Sequence, residues 1–250
     1  DCFGAREKFT RKYSSIHYKI KSQNRIVEES YRNSVGNLIA NESGYAVKQF
    51  QYDTHMRVIS ESYLDIKTHP CYVNGGYAEV RMTYNQDNEL VCVEYLDTEG
   101  GLINNNKLGY AYVTYERLEH DQGKKIISCF YDKFGELTLL PKLGYAIEER
   151  FYNERGLLDS EAYYDNTNVP ICRTDYKVAK IEYSYANDGN CIKVWYQDVN
   201  GQPANRCDVG YAVKYREYKN GKLMKEYYEG YQDQNLIAIS DREKGVAAIE

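Results

Sequence analysis

The chain has 250 residues, with 32 basic and 37 acidic side chains, a net charge of −5 and a mean hydropathy of −0.71. No apolar run approaches the roughly 18 residues of a membrane-spanning helix, and the charges are interspersed without the basic patch that nucleic-acid binding requires. The composition therefore excludes a helical membrane span and gives no support for a nucleic-acid partner. Because the chain begins at Asp1 and not at Met, we expect a processed product or a fragment of a longer protein.

Tyrosine is the overrepresented residue type, with 28 copies against 6 Phe and 1 Trp. The Tyr ring fills a half-buried position on a sheet, while its hydroxyl stays in water or finds a hydrogen-bond partner. This composition favours β-structure.

A Gly-Tyr-Ala triplet, followed by a strand-like run that ends in Tyr, recurs along the chain. Its successive starts lie 32, 33, 35, 33 and 33 residues apart, and a fixed period of this size marks a repeat architecture. We predict an N-terminal cap with a degenerate repeat over residues 1–43, tandem repeats over 44–230, and a C-terminal cap or tail over 231–250. The copies start at Gly44, Gly76, Gly109, Gly144, Gly210 and, in a degraded form, Lys177.

The copy at Gly144 shows the content of one repeat. A strand over 145–152 and a second strand over 157–164 are separated by Asn153-Glu154-Arg155-Gly156, and a connecting loop follows. Other copies carry similar turn residues that tolerate positive φ, such as Asp87-Asn88 and Asn220-Gly221. The sequence therefore predicts an all-β fold, in which six or seven hairpins of about 33 residues stack into an elongated, curved array.

Three columns of equivalent positions define the predicted interior. The Ala of the triplet recurs as Ala46, Ala78, Ala111, Ala146, Ala179 and Ala212. Tyr stands at the eighth position after the triplet's first residue as Tyr52, Tyr84, Tyr152, Tyr185 and Tyr218, whereas Arg117 replaces it once. The second strand contributes Tyr63, Tyr95, Phe130, Tyr163, Tyr196 and Tyr227. We expect the two aromatic columns to face each other across each hairpin and to form the packed seam of the stack.

The Tyr of the triplet is predicted to lie on the opposite face of the strand, where it is the better candidate for binding. This column is the candidate ligand or partner face, and it consists of Tyr45, Tyr77, Tyr110, Tyr145 and Tyr211. Exposed rings suit a protein partner, and they also stack on the faces of sugars, so both partner classes are retained.

These motifs resemble bacterial tandem repeats with the pattern GYAxxxxxYDxxGNxxxxxYYDxxGxP, which are similar to the Tyr-Asp hairpin repeats of large bacterial surface and shell proteins. The resemblance covers about Gly44 to Gly230, with a decayed copy over 18–43. It implies a surface-associated or scaffolding module and transfers no catalytic residue. The matching stretches include Gln51-Tyr52-Asp53, Tyr131-Asp132-Lys133-Phe134-Gly135 and Tyr163-Tyr164-Asp165.

The remaining residue patterns do not indicate an enzyme. The Asp that follows many strands lacks the closely spaced oxygen ligands of a calcium loop, so we expect it to bond to its own turn. Seven Cys cannot all pair, and the four His show no metal-site spacing. We therefore predict a non-enzymatic module without cofactor or metal, which binds another protein. The alternatives are glycan binding, self-association through the end hairpins, and an accessory region of a larger enzyme or toxin; a bacterial cell surface is the expected location.

Overall fold

The computed structural model describes residues 12–21, 24–239 and 248–249, and it divides into two compact units, Asp1–Lys107 and Leu108–Glu250. The elements in the described residues are all β-strands, and no helix among them is long and apolar enough to cross a membrane. The predicted all-β class, built from tandem hairpins, is confirmed.

The first unit contains three hairpins whose strands pair antiparallel in chain order. The first hairpin includes Tyr31 and corresponds to the degenerate copy that precedes Gly44. The strands are β1 (Ser15–Lys21), β2 (Arg25–Arg32), β3 (Val47–Tyr52), β4 (Val58–Leu64), β5 (Glu79–Tyr84) and β6 (Leu90–Leu96).

The second unit continues the pattern with four hairpins and ends in short strands. From β7 to β15 each strand pairs antiparallel with the next, and β16 pairs with β14 in line with β15. The strands are β7 (Tyr112–His120), β8 (Gly123–Tyr131), β9 (Ile147–Asn153), β10 (Leu158–Tyr164), β11 (Lys180–Tyr185), β12 (Cys191–Gln197), β13 (Val213–Lys219), β14 (Lys222–Gln232), β15 (Asn235–Ile239) and β16 (Ala248–Ile249).

Every described hairpin except the last is followed by a tight five-residue turn, inside the segment that the sequence predicts as a connecting loop. In the turn at Asp65, the carboxylate Oδ1 accepts hydrogen bonds from the backbone N–H groups of Lys67 and His69, and Thr68 takes a positive φ of 65°. Asp97, Asp132, Asp165 and Asp198 make the same pair of bonds. The prediction that these Asp bond to their own turns is confirmed.

The Gly of the triplet is required both by its backbone conformation and by a close approach between repeats. Gly144 has a φ of 78°, and a Cβ on it would lie 2.2 Å from Thr174 Oγ1, in the loop that leads into the copy at Lys177. The backbone N–H of Thr174 donates to the carbonyl of Leu143 at 2.7 Å, so the loops of successive repeats are bonded together. Lys177 occupies the Gly position of its copy with a φ of 59°, a conformation that is strained for a residue with a Cβ.

The prediction that the two aromatic columns face each other across a hairpin is wrong. Tyr63 is paired with Lys48, and Tyr52 lies at a β-bulge near the hairpin tip, opposite Val58. The Tyr52 hydroxyl instead donates to the backbone carbonyl of Ile26 in the preceding hairpin, at 2.8 Å. Because Tyr84 and Tyr185 make equivalent bonds, this column joins one hairpin to the one before it.

The bulge explains the one exception in that column. In the other copies, the register of the hairpin shifts next to the Tyr of this column. β7 and β8 pair without a shift, and Arg117 lies opposite Ile126. The copy that lost the Tyr thus also lacks the bulge.

The assignment of Tyr227 to the second-strand column is also wrong. In the last hairpin, β13 and β14 are joined by a two-residue tip and a bulge, which place Tyr228 opposite Lys214. Tyr228 is 1% exposed and takes the column position, whereas Tyr227 lies on the other face of the strand.

Replacing Lys177 by Gly should stabilise the protein by about 0.5–1 kcal/mol, because relief of the left-handed strain exceeds the entropy gained by the unfolded chain. The midpoint of urea unfolding at constant m-value measures this change. Lys142→Gly in the preceding loop is the control, since Lys142 is not among the residues with positive φ. A Lys177→Gly midpoint at or below that of the wild type would contradict the strain argument.

Asp165 should make stability sensitive to acid. Bonds from the backbone N–H of Val169 and from Thr167 lower the pKa of its carboxyl, so the stabilisation is present above the unfolded pKa and is lost as pH falls through the folded pKa. Asp165→Asn should therefore unfold with a shallower pH dependence between about pH 5 and 2. An Asn side chain fits such a turn, because Asn153 Oδ1 accepts the equivalent pair of backbone hydrogen bonds in its own turn. Identical pH profiles for the wild type and the variant would exclude this role.

Candidate functional site

The central feature of each unit is a row of aromatic rings in which two columns of the sequence alternate. In the first unit, ring centroids are 5.6 Å apart for Tyr31–Tyr45, 4.9 Å for Tyr45–Tyr63, 5.9 Å for Tyr63–Tyr77 and 4.8 Å for Tyr77–Tyr95. These spacings are those of favourable edge and tilted ring pairs. We call this arrangement the aromatic ladder.

The aromatic ladder recurs in the second unit in two segments. Each ring contacts the ring of the next column position, at centroid distances between 4.7 and 6.1 Å. Tyr163 is fully buried, and burial raises the pKa of its hydroxyl. The first segment contains Tyr110, Phe130, Tyr145 and Tyr163, and the second contains Tyr196, Tyr211 and Tyr228.

The ladder is interrupted where Val178 replaces the Tyr of the triplet, and two arginines bridge the interruption. The Arg173 guanidinium lies 4.9 Å from the ring of Tyr163 and 4.3 Å from that of Tyr176. The Arg206 guanidinium lies 4.0 Å from the same Tyr176 ring and 5.3 Å from the ring of Tyr196. Ring and guanidinium thus alternate across the gap, in contacts of about 0.5–2 kcal/mol each.

Both arginines are held by bonds of the same kind. Arg173 forms two bonds to Asp175 and donates from Nη1 to the Tyr163 hydroxyl at 2.9 Å. Arg206 repeats the arrangement one repeat later, and its hydrogen bond lowers the pKa of the Asp208 carboxyl. The equivalence of the two sets shows that the arrangement recurs in two successive copies.

The triplet tyrosines, predicted as an exposed partner face, lie in this ladder. Tyr145 and Tyr211 are each 4% exposed, and Tyr45, Tyr77 and Tyr110 are half-buried against the rings of the second-strand column. The prediction of opposite faces is wrong, because these residues precede the first strand and do not follow its side-chain alternation. Their rings contribute to the interior, as the six residues of the Ala column do at 0–4% exposure.

Buried charges beside the ladder are paired with one another. Glu148 is 7% exposed, and burial raises the pKa of its carboxyl although Arg150 Nη2 donates to it at 3.0 Å. Glu161 accepts a bond from the hydroxyl of Tyr183 at 2.6 Å and lies 3.5 Å from Arg150 Nε. Two carboxylates that share one guanidinium in this way form a structural ion network, and no cavity opens onto them among the described pockets.

The opposite strand face of the second unit carries a second set of aromatic side chains, which we call the outer face. Tyr112 and Tyr131 stack with centroids 4.6 Å apart, and Tyr215 and Tyr227 stack at 4.8 Å. All of its rings are half-buried, as are Tyr110 and Phe130 of the ladder, whereas the other second-unit ladder rings are buried. The outer face consists of Tyr112, Tyr131, Phe151, Tyr164, Trp195, Tyr215 and Tyr227.

Charged and amide groups stand between these rings. The Tyr215 hydroxyl donates to Glu229 at 3.0 Å. Burial, and secondly this hydrogen bond, raise the pKa of Tyr215 to about 12. Lys193 Nζ lies 4.9 Å from the Trp195 ring, and Glu182 is the direct cross-strand partner of Trp195. The sequence analysis did not predict this face. Its rings lie at strand positions that alternate with the ladder positions, so their side chains point to the other side of the sheet.

Two cavities of the second unit touch single rings of the outer face: one of about 350 Å³ is lined by His120, Lys125 and Phe151, and a smaller one lies beside Tyr164. A cleft of about 480 Å³ in the first unit opens where β4 and β5 diverge, but its Arg57 is bonded to Asp53 and its Arg81 to Glu79. A cavity of about 120 Å³ beside Tyr164 is smaller than a ligand pocket of about 300 Å³ or more. Neither the first-unit cleft nor the cavity beside Tyr164 presents an uncompensated charge to a ligand, since Lys180 in the latter is paired with Glu182.

Cysteines and metal-binding residues offer no further site in the part of the chain that the structure describes. Cys71, Cys92, Cys129, Cys172 and Cys191 are free thiols, Cys207 Sγ lies 3.0 Å from the backbone carbonyl of Asp175, and Cys2 lies outside the described residues. Burial raises the pKa of Cys92 to about 11, which makes its thiol unreactive at neutral pH. No group of three or more His, Cys, Asp or Glu side chains in the described segments could hold a metal ion.

Comparison with known proteins gives no assignment: no family model matches the chain, and no curated protein matches it.

Removing a ring from the ladder should be costly. Tyr163→Ala should lower the free energy of unfolding by about 3–5 kcal/mol, the usual cost of deleting a large buried ring. Tyr163→Phe should cost about 1–3 kcal/mol, because Arg173 then loses an acceptor. Urea unfolding measures both changes, with the half-exposed Tyr72→Ala as a control that should stay within about 0.5 kcal/mol. Equal effects of Tyr163→Ala and Tyr72→Ala would contradict the ladder's role.

Proposed function

We propose that this chain is a non-enzymatic binding module, and that it holds a protein partner on the outer face of its second unit. The observation that carries the proposal is the set of half-buried rings, with Trp195 and the stacked pair Tyr215–Tyr227 at one end. Trp and Tyr are the residue types that contribute most of the binding energy in protein interfaces.

The shape of this face favours a protein over a small glycan. Small ligands are held in concave sites that bury most of their surface, whereas the outer face is one side of a sheet. The triplet tyrosines, which were the sequence-based candidates for sugar stacking, are occupied by contacts with their ladder neighbours. The glycan alternative therefore depends on the same outer-face rings as the protein proposal.

The polar groups around the rings specify the partner further. Lys193, Glu182 and Glu229 surround Trp195 and Tyr215, and they are half-buried. A partner that fits would place apolar side chains on the rings and charges of both signs at the edge, as in a protein interface with an apolar centre and a polar rim. A strongly basic or acidic partner surface would leave one set of these charges unmatched.

A scaffolding role at a bacterial surface is the setting that the resemblance to Tyr-Asp repeats implies. An accessory region of a larger enzyme or toxin would use the same face to hold its neighbour. The full reading frame distinguishes these settings without altering the role proposed for the outer face.

Trp195→Ala should remove partner binding without unfolding the protein. The wild type and the variants Trp195→Ala, Trp195→Phe and Tyr72→Ala are immobilised and exposed to a lysate of the source cells. A partner should be retained by all except Trp195→Ala. The purified partner is then titrated by calorimetry, where Trp195→Ala should weaken binding at least about tenfold and Trp195→Phe by less.

Two outcomes would overturn the proposal. One is a purified partner whose affinity is the same for the wild type and for Trp195→Ala. The other is a glycan, found on an array, whose binding is lost in Trp195→Ala while no protein shows this dependence. Thermal unfolding of each variant separates loss of the interface from loss of the fold.

A further inference from the structure

The two outermost described strands differ in a way that bears on self-association. β1 carries His17, Lys19 and Lys21, and charged side chains on an edge strand discourage pairing with another chain. β15 reads Asn-Leu-Ile-Ala-Ile and carries neither a charge nor a proline. By this criterion, of these two described edges, that of β15 is the one open to pairing.

The β15 strand is exposed along most of its length. It pairs with β14 on one side, and no described strand lies on its other side. Leu236 is 40% exposed and Ile237 is 42% exposed. An uncharged strand with exposed apolar side chains, and with an edge that no described strand pairs, has the properties of a pairing site.

We propose that β15 is a self-association site, where two copies of this chain pair antiparallel through Asn235–Ile239 to form a two-fold dimer. Antiparallel pairing of neighbouring strands is also what joins successive hairpins in each unit, so the dimer would continue the same contact. Pairing of a strand with its own copy places Ile237 opposite Ile237 and Leu236 opposite Ala238.

The second copy is favoured over other occupants by charge. β15 paired with itself sets no like charges opposite each other, whereas β1 paired with itself would set basic side chains against basic side chains. Pairing of β1 with β15 is heterologous, so it would add copies without closing and would produce masses above that of a dimer.

The dimer should be weak, because five residue pairs bury less area than a standard stable interface. Sedimentation equilibrium from about 5 to 500 μM should show the mass rising from 29.1 kDa towards twice that value. Ile237→Lys should stay at the monomer mass throughout, since it places two lysines opposite each other at the two-fold axis. Leu236→Lys provides a second, independent disruption.

Ile20→Lys on β1 is the matched control, because Ile20 is an exposed edge residue at 57% exposure. It should dimerise like the wild type. A wild type that stays monomeric at the highest concentration would overturn the proposal, as would an Ile237→Lys variant that still dimerises. Masses above the dimer that Ile20→Lys abolishes would assign the contact to β1 with β15 instead. The partner titration under Proposed function uses Trp195 variants, so each proposal can fail separately.

Discussion

The structure depends on the contact between an aromatic ring that precedes one strand and an aromatic ring on the second strand of the neighbouring hairpin. An isolated hairpin of this length is marginal in water, because one sheet of two strands has no interior. The ladder supplies that interior, and the small Ala next to each triplet ring leaves space for it at 0–4% exposure. Gly144 and its equivalents then allow the loops to approach closely enough for backbone bonds between repeats.

The interruption at Val178 shows how much the repeat tolerates. This copy has lost both the Gly and the Tyr of the triplet, yet its backbone keeps the positive φ at Lys177. Arg173 and Arg206 replace the missing ring contact, because both guanidinium groups contact the ring of Tyr176. The planar guanidinium groups thus continue the row of stacked side chains where an aromatic ring is missing. Continuity of stacking is therefore the property that the repeats share.

The period of the sequence was enough to predict the hairpins, the Asp turns and the Ala column, because each depends on local chemistry at a fixed spacing. The side on which the triplet Tyr lies was not predictable from alternation, since Tyr145 precedes β9 and its direction is set by the loop. The register of the last hairpin was missed because a bulge moves Tyr228 into the place expected for Tyr227. The outer face could have been found, since Tyr164 and Trp195 each lie next to a ladder position in a strand.

Amide hydrogen exchange of Tyr145→Ala tests the central claim most directly. Tyr145 lies between Phe130 and Tyr163 in the ladder, so its ring connects two hairpins. If the ladder is a shared interior, the variant should lose protection in both β7–β8 and β9–β10, while β13–β14 should keep its protection. Loss of protection confined to the β9–β10 hairpin would show that each repeat is stable by itself, and it would contradict the account.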